Sequence, residues 1–183
     1  MTKKLITRSR NYIYDSEIIE KDTSYKGAYC HLDKDVDFKN RDRFNKCFLD
    51  KGSSQKIFFL GDSHTDHLRE THFMISKEFN ISIDGTTVSS CIFPPNIKQN
   101  SCGNVQLIQK ERVREELKSG DIVVISNRYI LDSENYSLED EKSVFEINQW
   151  SKEIISKGGK IILFAPSPEF KTTIFECTKE WFR

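Results

Sequence analysis

Polar and apolar positions divide the chain into two textures. Residues 1–55 are dense in charge and show no sustained period, which predicts a loop-rich lead-in or cap. From Lys56 onward, apolar runs of strand length alternate with stretches of helical period. Ile57 to Leu60 read as a short strand buried on both faces, and His64 to Phe79 as a helix with Leu68, Ile75 and Phe79 on one side. Ile81 to Val88 read as a second strand, followed by a proline-containing loop from Ser89 to Cys102. A helix from Val105 to Leu117 stops at Ser119-Gly120, and Asp121 to Ser126 form the third strand. Val144, Ile147, Trp150 and Ile154 mark another helix, closed by Gly158-Gly159. Lys160 to Ala165 form the fourth strand, broken by Pro166 and Pro168.

Strands alternating with amphipathic helices predict βαβ units: a parallel sheet with helices on both faces, and a site at the carboxyl ends of the strands. The expected organisation is a lead-in over residues 1–55 and an α/β domain over residues 56–183. Ser63, Ser89-Ser90, Asn127 and Pro166 all fall at predicted carboxyl ends.

Composition narrows the functional classes. Lys+Arg and Asp+Glu balance at 28 each, which removes the electrostatic argument for a nucleic-acid partner. No run approaches the roughly 20 apolar residues of a membrane span, and Met1 to Arg10 lack the apolar core of a signal peptide. Taken alone, these features fit a stand-alone cytoplasmic chain. The cysteines point the other way. Cys30 with Cys47, and Cys91 with Cys102, are short-range pairs in loop-like sequence, a spacing that suggests disulfides and an oxidising compartment. Five reduced thiols in the cytosol are the competing reading, and Cys177 has no nearby mate. Zinc ligation is disfavoured because no Cys-x-x-Cys or matching Cys/His spacing occurs. Asn80-Ile81-Ser82 and Asn135-Tyr136-Ser137 match glycosylation acceptors, a motif too common to fix a route.

The chemistry concentrates at Gly61-Asp62-Ser63-His64, where a strand gives way to a helix. Such a turn lifts a serine hydroxyl to the sheet edge, and the helix start offers its backbone N–H to an oxyanion. Ser63 is the candidate nucleophile. Asn127 is the candidate side-chain oxyanion donor, and Ser90, in the Ser89-Ser90 loop, the candidate backbone donor. Gly85 is a rival that falls mid-strand. Simple helix capping and turn closure are the competing roles for these residues. An α/β-hydrolase elbow does not fit, because Gly-x-Ser-x-Gly would need glycine where Thr65 stands.

Phe59-Leu60-Gly61-Asp62-Ser63-His64 resembles the first block of the SGNH hydrolase superfamily. More narrowly, the chain resembles the SGNH domain fused behind the membrane-embedded acyltransferase 3 domain of bacterial surface-glycan O-acyltransferases. Three further features carry that narrower match: the Cys30/Cys47 lead-in, Ser89-Ser90-Cys91-Ile92-Phe93-Pro94-Pro95 with Cys102, and Ala165-Pro166-Ser167-Pro168 before Cys177. The resemblance implies a flavodoxin-like three-layer α/β/α fold with a parallel sheet. It implies that Ser63 accepts an acyl group, typically acetyl, for a sugar hydroxyl of a cell-surface polysaccharide, or for water in an esterase. Asn127 would be the oxyanion donor. No metal or other cofactor is implied. The partners would be a glycan acceptor and a membrane-embedded acyl donor, and the location periplasmic or otherwise extracytoplasmic.

The superfamily's late Asp-x-x-His, which supplies the base, has no counterpart: the pattern occurs nowhere and no histidine follows His72. His31, His64, His67 and His72 are the remaining imidazoles, with surface or packing roles expected. The last strand and helix of the resembled fold are therefore expected to lie beyond this chain, which alone would be nearly inactive. A non-catalytic glycan-binding remnant is the alternative from another functional class.

Overall fold

The computed structural model describes residues 30–32, 45, 47–94, 100–128 and 138–164. Cys177 and the Ala165–Pro168 segment lie outside them. Seven strands and four helices occur in these residues: β1 (His31–Leu32), β2 (Phe48–Leu49), β3 (Lys56–Gly61), α1 (Ser63–Asp66), α2 (Arg69–Phe79), β4 (Ser82–Asp84), β5 (Thr87–Val88), α3 (Asn100–Glu116), β6 (Ile122–Ser126), α4 (Leu138–Ser156) and β7 (Lys160–Phe164).

The main sheet has the order β2-β4-β3-β6-β7. Its last four members are parallel, and β2 joins the edge antiparallel to β4. The parallel strands follow the chain order 2-1-3-4 of a flavodoxin-like sheet. From β3 the chain crosses to one side of the sheet, and from β6 to the other. Right-handed crossovers in opposite directions put their helices on opposite faces. Alternate side chains of β3 record this. Phe58 and Leu60 pack with Val113 and Leu117 of the α3 segment and with Trp150 and Ile154 of α4. Ile57 and Phe59 pack with Ile75 of α2. The three-layer α/β/α fold follows.

Several local expectations are corrected. The helix predicted over His64 to Phe79 is two helices, separated by a tight turn at His67-Leu68, where Leu68 leaves helical geometry (φ −85°, ψ 6°). The face of α2 that is buried carries His72 and Ser76, whereas Phe79 is 61% exposed, so aromatic character misphased the helix. Val144 is likewise exposed on α4, while Ile147, Trp150 and Ile154 are buried. The Ile81–Val88 strand is interrupted at Gly85-Thr86. Gly85 therefore lies between β4 and β5, donating its N–H to Cys47 O at 3.1 Å. Cys102 sits inside α3 rather than in a loop, because that helix starts earlier than its apolar period does.

The lead-in contributes strands as well as loop. β1 pairs with β5 in a separate two-stranded sheet, and β2 pairs with β4. Both proposed disulfides form. Cys30–Cys47 ties β1 to β2, and Cys91–Cys102 ties the loop after β5 to α3. At the far edge, β7 pairs only with β6 among the described residues, leaving Ile162, Leu163 and Phe164 about half exposed. No helix among the described residues is long and apolar enough to cross a membrane.

Candidate active site

In a sheet of this order the crevice opens where the chain leaves neighbouring strands in opposite directions, here between the carboxyl ends of β3 and β6. Gly61 pairs with Ser126 at that end, so Ser63 and Asn127 follow from adjacent strand ends. Ser63 begins α1 and is partly exposed. Among the described residues its hydroxyl has no hydrogen-bond partner. α1 is a single turn, so dipole assistance at Ser63 is far smaller than a continuous helix to Phe79 would give.

The turn is held from several directions. Gly61 has φ +142°, outside the range of ordinary L residues, and a Cβ placed there would collide with the Ser126 carbonyl and the Thr65 hydroxyl. The fully buried Thr65 answers why glycine is not needed at its position. Its hydroxyl reaches the Leu60 carbonyl at 2.9 Å and also contacts the Ser126 carbonyl, fastening α1 to the ends of both central strands. Asp62, only 3% exposed, caps α1 by accepting from His64 N at 2.9 Å. Its other oxygen accepts from Arg128 N at 2.8 Å, across the crevice. The sequence signal at Asp62 is that of an N-cap; the second bond depends on the β3–β6 register and is not visible locally.

Asn127 lies at the crevice as expected, but its carboxamide is fully buried and engaged. Nδ2 donates to Phe93 O at 2.7 Å, and Oδ1 accepts from Phe93 N at 3.0 Å. It therefore pins the Ser89–Pro94 loop. Gln106 Nε2 donates to Ile92 O at 2.7 Å, and the Phe93 ring meets Trp150 edge-on at 4.9 Å. Ser90 is exposed in this loop with φ +55°, and β5 before it lies against β3 and α1. Ser63, Asn127 and the Ser90 loop thus come to one edge, with Phe93 and Arg128 as neighbours that sequence reasoning did not single out.

The histidines behave differently. His64 and His67 face each other with ring centroids 5.7 Å apart, on the helix side of the turn. His31 Nδ1 lies 2.8 Å from Thr87 Oγ1 within the β1–β5 pair. His72 is buried under β3, stacked on Phe59 at 3.7 Å. Burial, then the Arg69 charge, lowers its pKa to about 3, so it is neutral at physiological pH. Asp84, on β4 opposite Phe58, is also fully buried. Desolvation pushes its carboxyl up more than Arg112, 2.9 Å away, pulls it down. These two perturbed groups lie within the sheet layers, away from the serine edge. No cluster of three or more His, Cys, Asp or Glu that could hold a metal occurs among the described residues.

The edge therefore presents a partly exposed serine on a braced turn, beside an asparagine-anchored loop. Such an arrangement can orient a hydroxyl against an acyl carbonyl; among the described residues it holds no imidazole on that hydroxyl. Searches of curated proteins and of solved structures returned no match. Residues 29–181 match the family described as "SGNH domain (fused to AT3 domains)". The serine turn, the flavodoxin-like sheet and the two disulfides agree with that match over most of the chain's length, and the protein belongs to this family of acyltransferase-associated SGNH domains.

Proposed function

We propose that Ser63 is the acyl-accepting nucleophile of an O-acyltransferase domain that modifies a cell-surface polysaccharide, with acetyl as the group carried. The carrying observation is the position of Ser63: a partly exposed serine at the switch point of the sheet, on a turn braced by Gly61, Asp62 and Thr65. Fusion of the family to acyltransferase 3 domains supports a membrane-embedded donor. Disulfides support an extracytoplasmic, periplasmic setting.

In the first half-reaction Ser63 Oγ bonds to the acyl carbon, the donor's leaving group departs, and the serine proton leaves with it or to solvent. In the second, a sugar hydroxyl attacks that carbon, the bond to Oγ breaks, and Oγ regains a proton. Backbone N–H groups at Ser63 and Ser90 stabilise the oxyanion in both, while Asn127, its carboxamide bonded to Phe93, holds the Ser90 loop in place.

With no imidazole on Ser63 among the described residues, the chain alone acylates slowly and does not turn over. Loss of a triad base costs on the order of 10⁴ to 10⁶ in rate. That same observation favours a second reading, a glycan-binding domain without catalysis. Purified full-length chain with p-nitrophenyl acetate separates the readings. The proposal expects slow release of p-nitrophenolate, stopping near one equivalent and abolished by Ser63→Ala. Release unaffected by Ser63→Ala would remove Ser63 as nucleophile, and sustained turnover would mean that the chain supplies a base to Ser63. No Ser63-dependent release, with retained glycan binding, would establish the second reading.

A further inference from the structure

We propose that Asp62 is a positioning residue, whose carboxylate fixes the Ser63 turn against the Asn127–Arg128 segment. This rests on the reading of Ser63 as nucleophile. Capping α1 needs one acceptor, and Asn or Ser serves an N-cap about as well as Asp. Asp62 uses two. One oxygen takes His64 N at 2.9 Å, and the other takes Arg128 N at 2.8 Å. Its backbone carbonyl accepts from Thr65 N and Asp66 N at 3.1 and 3.2 Å, so the residue is anchored on its own side as well. A carboxylate is an acceptor at both oxygens, whereas an asparagine presents one oxygen and an NH₂. Asparagine at this position could keep the cap, but it would then point a donor at the Arg128 N–H. Aspartate is the residue that closes both bonds, and the crevice between Ser63 and Asn127 is spanned by the second.

An electrostatic role would have the opposite sign. A negative charge beside a developing oxyanion opposes it. Removing that charge would quicken attack by Ser63, whereas loosening the turn would slow it. The rate therefore reports which role operates.

The test is labelling of the full chain by a fluorophosphonate probe. Ser63 Oγ bonds to phosphorus, fluoride leaves, and the serine proton passes to buffer. Asp62→Asn is expected to lower the maximal labelling rate on the order of ten- to a hundred-fold, as loss of near-attack geometry does, with the probe's half-saturating concentration unchanged. Asp62→Glu keeps the charge at the wrong reach and should not restore the rate. Asp121→Asn, which alters a carboxylate at the opposite end of the sheet, should label at the wild-type rate. Labelling by Asp62→Asn at or above the wild-type rate would overturn the inference while leaving Ser63 as nucleophile. If wild-type Ser63 does not label, the nucleophile reading fails, and amide hydrogen exchange decides the positional claim separately. Faster exchange at Arg128 N–H with His64 N–H still protected in Asp62→Asn supports it; equal protection at Arg128 overturns it.

Discussion

The two ends of the central sheet are fastened by the same device to different effect. At the amino end, buried Asp121 accepts Lys56 N and Lys118 N, both at 2.8 Å, joining the start of β3 to the turn before β6. At the carboxyl end, buried Asp62 accepts His64 N and Arg128 N, joining the turn after β3 to the segment after β6. Around Asp121 the backbone is closed off: Gln55 Nε2 donates to Gly120 O at 2.7 Å, and Gly120 N donates to Gly158 O at 2.9 Å. Around Asp62 the same stitching leaves Ser63 partly exposed at the strand ends. A buried carboxylate holding two backbone N–H groups is thus a structural part at one end and, on the proposed reading, a site-building part at the other. What distinguishes them is whether the chain leaves the two strands in opposite directions.

The largest expected effect concerns the layer that joins both ends. His72 has a folded pKa of about 3 against an ordinary 6.5, so the unfolded chain takes up the proton first as pH falls. Stability should therefore decline from about pH 6.5 downward, by about 5 kcal/mol in all at pH 3. About 2 kcal/mol of this falls between pH 6.5 and 5. Glu116 and Glu153 are held below the usual carboxylate range. For Glu116, burial opposes this but is outweighed by Lys56 and Arg112; for Glu153 the cause is first its hydrogen bond to Arg114. Their contributions are lost only below about the ordinary glutamate range. Asp84, raised mainly by burial, acts with the opposite sign, losing stability as pH rises through its folded pKa. Urea unfolding of wild type and His72→Gln should accordingly show the decline between pH 6.5 and 5 in the wild type alone.

Next in size, Gly61→Ala should cost about 4 kcal/mol, because its Cβ meets backbone at φ +142°. Gly120→Ala at the other end, with nothing within 4 Å and φ +93°, should cost about 1–2 kcal/mol. Equal urea midpoints for the two would break the contrast between crowding at Gly61 and free space at Gly120. Asp121→Asn and Asp62→Asn should each cost about 1–3 kcal/mol by leaving a backbone N–H unmet. Only the second should slow Ser63. The smallest effect belongs to the exposed edge: Ile162→Thr on β7, 45% exposed at Ile162, should shift stability by less than about 1 kcal/mol.

Strand-length apolar runs make β3, β6 and β7 legible without partner information, although only β3 and β6 are buried on both faces and β7 stays about half exposed. The serine turn and both cysteine pairs are legible from short-range spacing. Two-residue strands such as Phe48–Leu49 are not, because their pairing is decided by β4 and the Cys30–Cys47 link rather than by local period. The break at Leu68 and the outward Phe79 escape the sequence because hydrophobicity ranks residues without fixing helix phase; the buried positions go to His72 and Ser76. Sequence alone presents Asn127 as a donor facing substrate. Its engagement with Phe93 follows from a contact spanning 34 residues, which no motif encodes. Asp62 and Asp121 share that difficulty: each looks like an ordinary turn aspartate until the β3–β6 register brings its second N–H into reach.

On the proposed reading, the braced carboxyl end makes Ser63 the residue that receives the acyl group. The direct measurement is peptide mapping by mass spectrometry after exposing the full chain to p-nitrophenyl acetate under non-reducing conditions. The expected product is a single acetyl ester on the peptide containing Ser63, absent from Ser63→Ala and forming more slowly in Asp62→Asn. Acetylation confined to lysines or other serines, with Ser63 unmodified in the folded wild type, would contradict it.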